Sequence, residues 1–149
     1  MTSASIVLGA QRPDLLHEEN LADIFRATAR QYPSKTALIF GDKSLTYAEL
    51  DKWSDAVAAD LSAKGIRPGN PVGLWLPRGL ELHVAVLGIV KAGASYVPLD
   101  REMPAERVEV VLTEVDAAAC ISNDVLHLNC PIYKVIHKPG IDDVFDMTP

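Results

Sequence analysis

Residues 72–100 read VGLWLPRGLELHVAVLGIVKAGASYVPLD, and this stretch decides the fold. Val72–Leu76 is a continuous apolar run bounded by Pro71 and Pro77, the pattern of a strand buried on both faces. Leu80–Lys91 follows, with only Glu81, His83 and Lys91 polar. A helix apolar almost all round lies inside a protein rather than on its surface. Gly93 ends that helix, and Ser95–Leu99 returns as a second apolar strand. Strand, buried helix and strand predict a parallel pair joined by a crossover. The segment from Leu82 to Leu99 is apolar enough to suggest a membrane span. His83, Lys91 and Pro98 interrupt it, however, and a spanning helix needs about 20 predominantly apolar residues. No membrane association is expected.

Upstream, Thr46 and Glu49 form the S/T-x-x-E pattern of a capping box. Leu50, Trp53, Val57 and Leu61 recur on one face of the helix it opens, while Asp51, Lys52, Asp55 and Lys64 lie off that face. Gly65 is placed to close it in the left-handed conformation. Before it, Thr36–Phe40, the turn Gly41-Asp42-Lys43 and Ser44–Thr46 read as a small β-hairpin near residues 36–46. Asn20 caps an earlier helix on which Leu21, Ile24, Phe25 and Thr28 fall at helical spacing, and Pro33 ends it. Downstream, Pro104 starts a helix at its first turn, with Val108, Val111, Leu112 and Val115 on its core face. Ala117–Ile121 and Ile132–Ile136 complete the strands. Helices are expected at about 21–32, 47–64, 79–92 and 104–115, with boundaries good to about ±2–4 residues. The class is α/β: a mostly parallel sheet with helices on both faces. Residues 1–19 read as an arm, 20–137 as the structured segment and 138–149 as a connector toward a downstream part.

Composition agrees with a globular protein. Of 149 residues, 48% are hydrophobic and 23% charged, with no repeat or low-complexity tract. The formal net charge is −6, from 14 Lys and Arg against 20 Asp and Glu, and no two basic residues adjoin. A nucleic-acid binder needs clustered cations, so nucleic acid is not an expected partner. Met1–Ala10 has no basic start and no long apolar core, which argues against a secretory signal. Two cysteines, Cys120 and Cys130, make no disulfide scaffold, and Cys120 reads as a small core residue. A cytoplasmic location is expected.

Two stretches carry more than secondary structure. One is Leu45-Thr46-Tyr47-Ala48-Glu49-Leu50. The other is Val90-Lys91-Ala92-Gly93-Ala94-Ser95-Tyr96-Val97-Pro98-Leu99-Asp100, followed by Pro104 and Arg107. Together they resemble the first two signatures of the adenylation domains of nonribosomal peptide synthetases, which belong to the adenylate-forming enzymes. The turn Gly65-Ile66-Arg67-Pro68-Gly69 between them also resembles that family, and the likeness covers roughly Asn20 to Ser122. Ser95 stands where the family usually carries Ala. The form Tyr-Val-Pro-Leu-Asp favours the amino-acid-activating branch over acyl-CoA synthetases.

The resemblance implies an ATP-dependent ligase that forms aminoacyl-AMP in the complete enzyme, with ATP and Mg²⁺ as cofactors. It implies as partners an amino-acid substrate, a carrier-protein domain and the downstream part of the adenylation domain. The family's Gly-rich phosphate loop, ribose-binding Asp and late catalytic Lys have no counterpart in this sequence. No catalytic, cofactor-binding or metal-ligating residue is therefore assigned here, and neither cofactor is expected to bind this chain tightly.

Local substitutes are weak. Gly65, Gly69 and Gly73 match no phosphate-loop spacing and read as turn formers around Pro68 and Pro71. Lys91 reads as a helix-end cation favoured by the C-terminal dipole. His127 and Cys130 form an H-x-x-C pair without a second pair, which is too little for zinc. His17, His83 and His137 are isolated. Asp100 ends its strand at the carboxyl edge, where open α/β sheets place ligands, but capping the strand end or pairing with Arg101 or Arg107 is the simpler role. The main reading is a segment of an adenylating enzyme, inactive alone. The alternative is a non-catalytic interaction module, or half of a split enzyme, that docks on a partner chain. Self-association through uncovered sheet is expected of either.

Overall fold

The computed structural model describes residues 9–15, 19–124, 126, 128–135 and 145–148. Helix α2, Tyr47–Ala63, opens on Thr46, whose Oγ1 accepts the Glu49 N–H at 3.2 Å. The Glu49 Oε2 accepts the Thr46 N–H at 2.9 Å, so the box is closed in both directions. Leu50, Trp53, Val57 and Leu61 are buried along one face, as the spacing requires.

Helix α1, Leu21–Gln31, is capped by the Asn20 side chain, which accepts the Asp23 N–H at 3.0 Å. Its buried residues are Ala22 and Ala29, whereas Leu21 and Ile24 are 64% and 49% exposed. Of the spaced apolar residues only Phe25 packs on the core, while Leu21 and Ile24 face outward. Strands β1 (Thr36–Phe40) and β2 (Lys43–Thr46) pair antiparallel across a two-residue turn. Gly41 has φ +62° there, which a residue with a side chain rarely adopts.

The main sheet has the order β4-β3-β5-β6-β7, built from Ser95–Pro98, Pro71–Trp75, Ala119–Ser122, Ile132–Val135 and Phe145–Thr148 respectively. The first four run parallel, and β7 pairs antiparallel with β6. Strand β7 falls in the stretch read from sequence as a connector, where two prolines and no clear period hid it. Ile136, expected to close β6, lies outside the described residues. Helix α3, Leu80–Lys91, links β3 to β4, and helix α4, Ala105–Glu114, links β4 to β5. Pro104 stands just before α4, at its N-cap, rather than in its first turn.

From β3 the chain steps sideways to β4, then back past β3 to β5. Parallel crossovers are almost always right-handed, so two that step in opposite directions put their helices on opposite faces. Packing agrees. Val72, Leu74, Ala119, Ile121 and Tyr133 join α2 and α3 in one core. On the other face Trp75 and Cys120 join Val108 and Leu112 of α4 in a second. Alternate strand residues feed both cores, which is why the strands read as unbroken apolar runs.

Gly73 departs from its expected role. It lies within β3, not in a turn, and a Cβ there would stand 2.4 Å from Leu112 Cδ2 and 3.2 Å from Cys120 Sγ. The missing side chain lets α4 seat closely on the sheet.

Cys120 is fully buried, and burial, with a lesser contribution from Cys130, pushes its thiol up to about 12. The neutral thiol is the form the fold accepts. Stability from this group is therefore complete below the unfolded-state value near 9, and is lost as pH rises from there toward 12. At pH 10 the loss should be about 1 kcal/mol. Urea midpoints of the protein and of Cys120→Ala, compared at pH 8 and pH 10, measure it, since the variant removes this part of the pH dependence alone.

Candidate functional site

The loops after β3 and β4 leave toward opposite faces of the sheet. In open α/β folds the crevice at such a switch point is where ligands bind. Here that crevice is a cavity of about 390 Å³ between Leu74, Leu76 and Leu82 on one side and Pro98, Asp100 and Arg101 on the other, with Arg78 at its rim.

Three carboxyl-edge loops are tied together beside it. The Trp75 Nε1–H donates to the Asp100 carbonyl at 2.9 Å, joining the end of β3 to the loop after β4. The Arg101 guanidinium lies 4.6 Å from the centre of the Trp75 ring and pairs with Asp124, past the end of β5, at 2.7 Å. Stacking satisfies the cation's face while the carboxylate takes its edge. The buried Ser122 Oγ accepts the Asp124 N–H at 3.0 Å and fixes that loop in turn. Asp100 Oδ1 accepts the Glu102 N–H at 2.9 Å. Of the two roles that its sequence position suggested, the structure gives Asp100 the capping one, and the Arg101 ion pair goes to Asp124.

Lys91 differs from its sequence reading more sharply. It does sit in the last turn of α3, but its side chain is 0% exposed and points onto α2. Its Nζ donates to Asp51 Oδ1 at 2.6 Å, to the Asp51 carbonyl at 3.0 Å and to Asp55 Oδ1 at 2.8 Å, and lies 5.2 Å from the Phe25 ring centre. Asp51 and Asp55 are one turn apart on α2, so one ammonium bridges both. Lys91 is an inter-helix tie.

His83 lies on α3 with Nδ1 3.0 Å from the Gly79 carbonyl. Gly65, Gly69 and Gly93 have φ of +93°, +85° and +77°, and each serves a turn. Cys130 is a free, half-buried thiol, while His127 of the H-x-x-C pair, His17 and His137 lie outside the described residues. Among the described residues no group of three or more His, Cys, Asp or Glu could hold a metal ion. None of the helices there is long and apolar enough to cross a membrane.

The donor set also bears on a nucleotide. Cradling phosphates takes several free N–H groups in one loop, usually with a cation beside them. At this edge Arg101 is committed to Asp124 and Trp75, which leaves Arg78 as the remaining cation of the lining; Asp100 faces its own turn, and the positive-φ glycines stand singly at separate turns. A single remaining cation without a Gly-rich loop does not by itself make a site for a triphosphate and its Mg²⁺.

The model for the AMP-binding enzyme family matches residues 25–143. The chain belongs to that family. Delta-poly-L-ornithine synthetase of Acinetobacter baumannii (strain AB307-0294) is 45% identical over 120 residues, which is 80% of this chain and 9% of that protein. The N-terminal subdomain of Klebsiella oxytoca NpsA, solved with 3-hydroxybenzoyl-AMSN, is 30% identical and superimposes with a TM-score of 0.71. That likeness covers 76% of this chain and 29% of the solved subdomain's. NpsA-ThdA, an artificially fused adenylation–PCP di-domain from the same organism, gives 30% identity and a TM-score of 0.72 over 76% and 22% of the two chains. The chain thus spans less than a third of each of these proteins. It corresponds to an N-terminal segment of a nonribosomal-peptide-synthetase adenylation domain, and the interaction-module reading is not favoured.

Proposed function

We propose that this segment is the framework portion of an amino-acid-activating domain. The complete enzyme would use ATP and Mg²⁺ to form an aminoacyl-AMP and pass the acyl group to a carrier domain in the cytoplasm. The observation that carries the reading is the family match over 25–143 on a fold whose own polar groups are spent on holding loops and helices together. The segment would supply the first strands of the sheet, their two cores and the fixed carboxyl edge, and no catalytic residue. Phosphate binding, the metal and the substrate pocket would come from the rest of the domain. The carrier-domain partner is supported by the adenylation–PCP arrangement of NpsA-ThdA.

Amino-acid-dependent ATP–pyrophosphate exchange tests this. The 149-residue protein should give background exchange only. A chimera in which residues 20–135 replace the matching stretch of the 45%-identical Acinetobacter relative's adenylation domain should exchange with the recipient's own amino acid. Exchange by the isolated chain would place catalytic groups within it. An inactive chimera, folded and soluble, would remove the framework reading.

A further inference from the structure

The crevice at the carboxyl edge joins aliphatic walls to charged groups that differ in what holds them. Leu74, Leu76 and Leu82 form one wall and Pro98 stands in the other. Its volume of about 390 Å³ lies within the range of about 300–1,000 Å³ that small-molecule sites occupy. Of the charged residues that line it, Arg101 is held by Asp124 and by the Trp75 ring. One Asp100 carboxylate oxygen accepts the Glu102 N–H. Arg78 is different. It is exposed at the rim, and among the described residues its guanidinium has neither an ion-pair nor a hydrogen-bond partner. Pro77 fixes the backbone before it and α3 begins two residues after it, so this cation works from a set base.

We propose that the crevice binds a small monocarboxylate with an aliphatic body, its carboxylate on Arg78 and its body between the leucines and Pro98. A guanidinium takes a carboxylate through two parallel N–H···O bonds, a geometry that lysine cannot offer. In open water such a pair gives little. Beside aliphatic walls that keep water away it gives more, and the walls supply contact area for the chain. Neither half of the site suffices alone: the walls give no orientation, and the exposed cation gives little affinity. Asp100, on the β4 side, sets the limit on the ligand. A second carboxylate would have to lie among the aliphatic walls or face the Asp100 charge, so a dicarboxylate is rejected.

Calorimetric titration of the 149-residue protein at pH 7 and low salt decides it, with octanoate, octanamide and suberate as probes. Octanamide keeps the chain and removes the charge, and suberate adds a second carboxylate. Octanoate should bind saturably, and octanamide and suberate should each bind about tenfold or more weakly. Arg78→Gln should bring octanoate down to the level of octanamide. Arg78 is exposed, so this replacement disturbs no packing, and an unchanged urea midpoint checks that the fold is kept. Arg107→Gln, at an exposed position of α4, controls for general charge and should change octanoate affinity by less than about twofold. Absence of saturable octanoate binding up to about 10 mM, a modest affinity for ten heavy atoms, would overturn the proposal. So would equal affinity for octanamide or suberate, or an octanoate affinity that Arg78→Gln leaves intact or Arg107→Gln lowers as much. Binding is read here without turnover, so these outcomes do not depend on the framework reading.

Discussion

Gly88→Ala is expected to lower the unfolding free energy by about 3 kcal/mol. In an ordinary helix interior the same change gains about 1 kcal/mol, because alanine is the better helix former. The sign reverses here because Gly88 is where α3 touches α2. A Cβ at position 88 would stand 2.2 Å from Val57 Cγ1 and 2.6 Å from Val57 Cβ, with the Ser54 carbonyl at 3.4 Å. Val57 is fully buried and β-branched, so its rotamer is fixed by its own helix and its Cβ moves only with the backbone. The two helices must part, and core contacts along both are lost. Gly73→Ala offers the contrast: its clash is with the end of the Leu112 side chain, which can turn away, and about 1 kcal/mol is expected. Urea unfolding midpoints rank the two. If Gly88→Ala cost as much in a Val57→Gly background, where both clashing atoms are gone, as it does with Val57 present, steric contact between the helices would not be its cause.

The second large effect is an asymmetry. Replacing Asp51 and Asp55 together by Asn should cost about 3 kcal/mol, since it leaves the wholly covered Lys91 ammonium without an anion. Lys91→Met should cost only about 1 kcal/mol. Methionine keeps the buried stem, and the two carboxylates, 28% and 53% exposed, turn back to water. Arg26 stays near Asp55, at 3.9 Å, and limits the repulsion between the two aspartates. Chemical denaturation of the three proteins at pH 7 and low salt measures the difference. Equal losses would mean that the tie works as a simple pair, with no penalty for stranding the buried charge.

These two cases also mark where sequence reading stops. The apolar run 72–100, the capping box at Thr46 and Glu49 and the prolines at 33 and 104 report local conformation, so helices, strands and their parallel arrangement were legible from them. The family was legible because Lys91 to Asp100 and Leu45 to Leu50 carry its signatures. What Lys91 does was not, because its partners stand about 40 residues away in the chain. Asp51 and Asp55 were marked only as lying off the apolar face, and nothing local says which cation a carboxylate meets. Gly73 was grouped with turn glycines by its spacing, whereas its role depends on Leu112, which only the folded sheet brings near. At the carboxyl edge Asp100 was singled out by its position, yet Trp75, Arg101 and Asp124, which tie the loops, come from three separate strand ends. Strand β7 is four residues of mixed polarity, too short for a period, and shows itself only by its antiparallel pairing with β6.

The order of strands in space also has a consequence for how the chain is made. Strand β3 is flanked by β4 on one side and β5 on the other, and β5 ends at Ser122, well after β4 ends at Pro98. During synthesis, at about 5–20 residues per second, the second flank of β3 stays unpaired for roughly one to five seconds after the first has its partner. Through that interval an apolar strand presents bare N–H and C=O groups to neighbouring nascent chains on the same messenger. The stretch that fills the interval is the amphipathic α4 with its charged outer face. It can lie over Trp75 and Gly73 before β5 arrives, shielding one face of the strand while the edge waits.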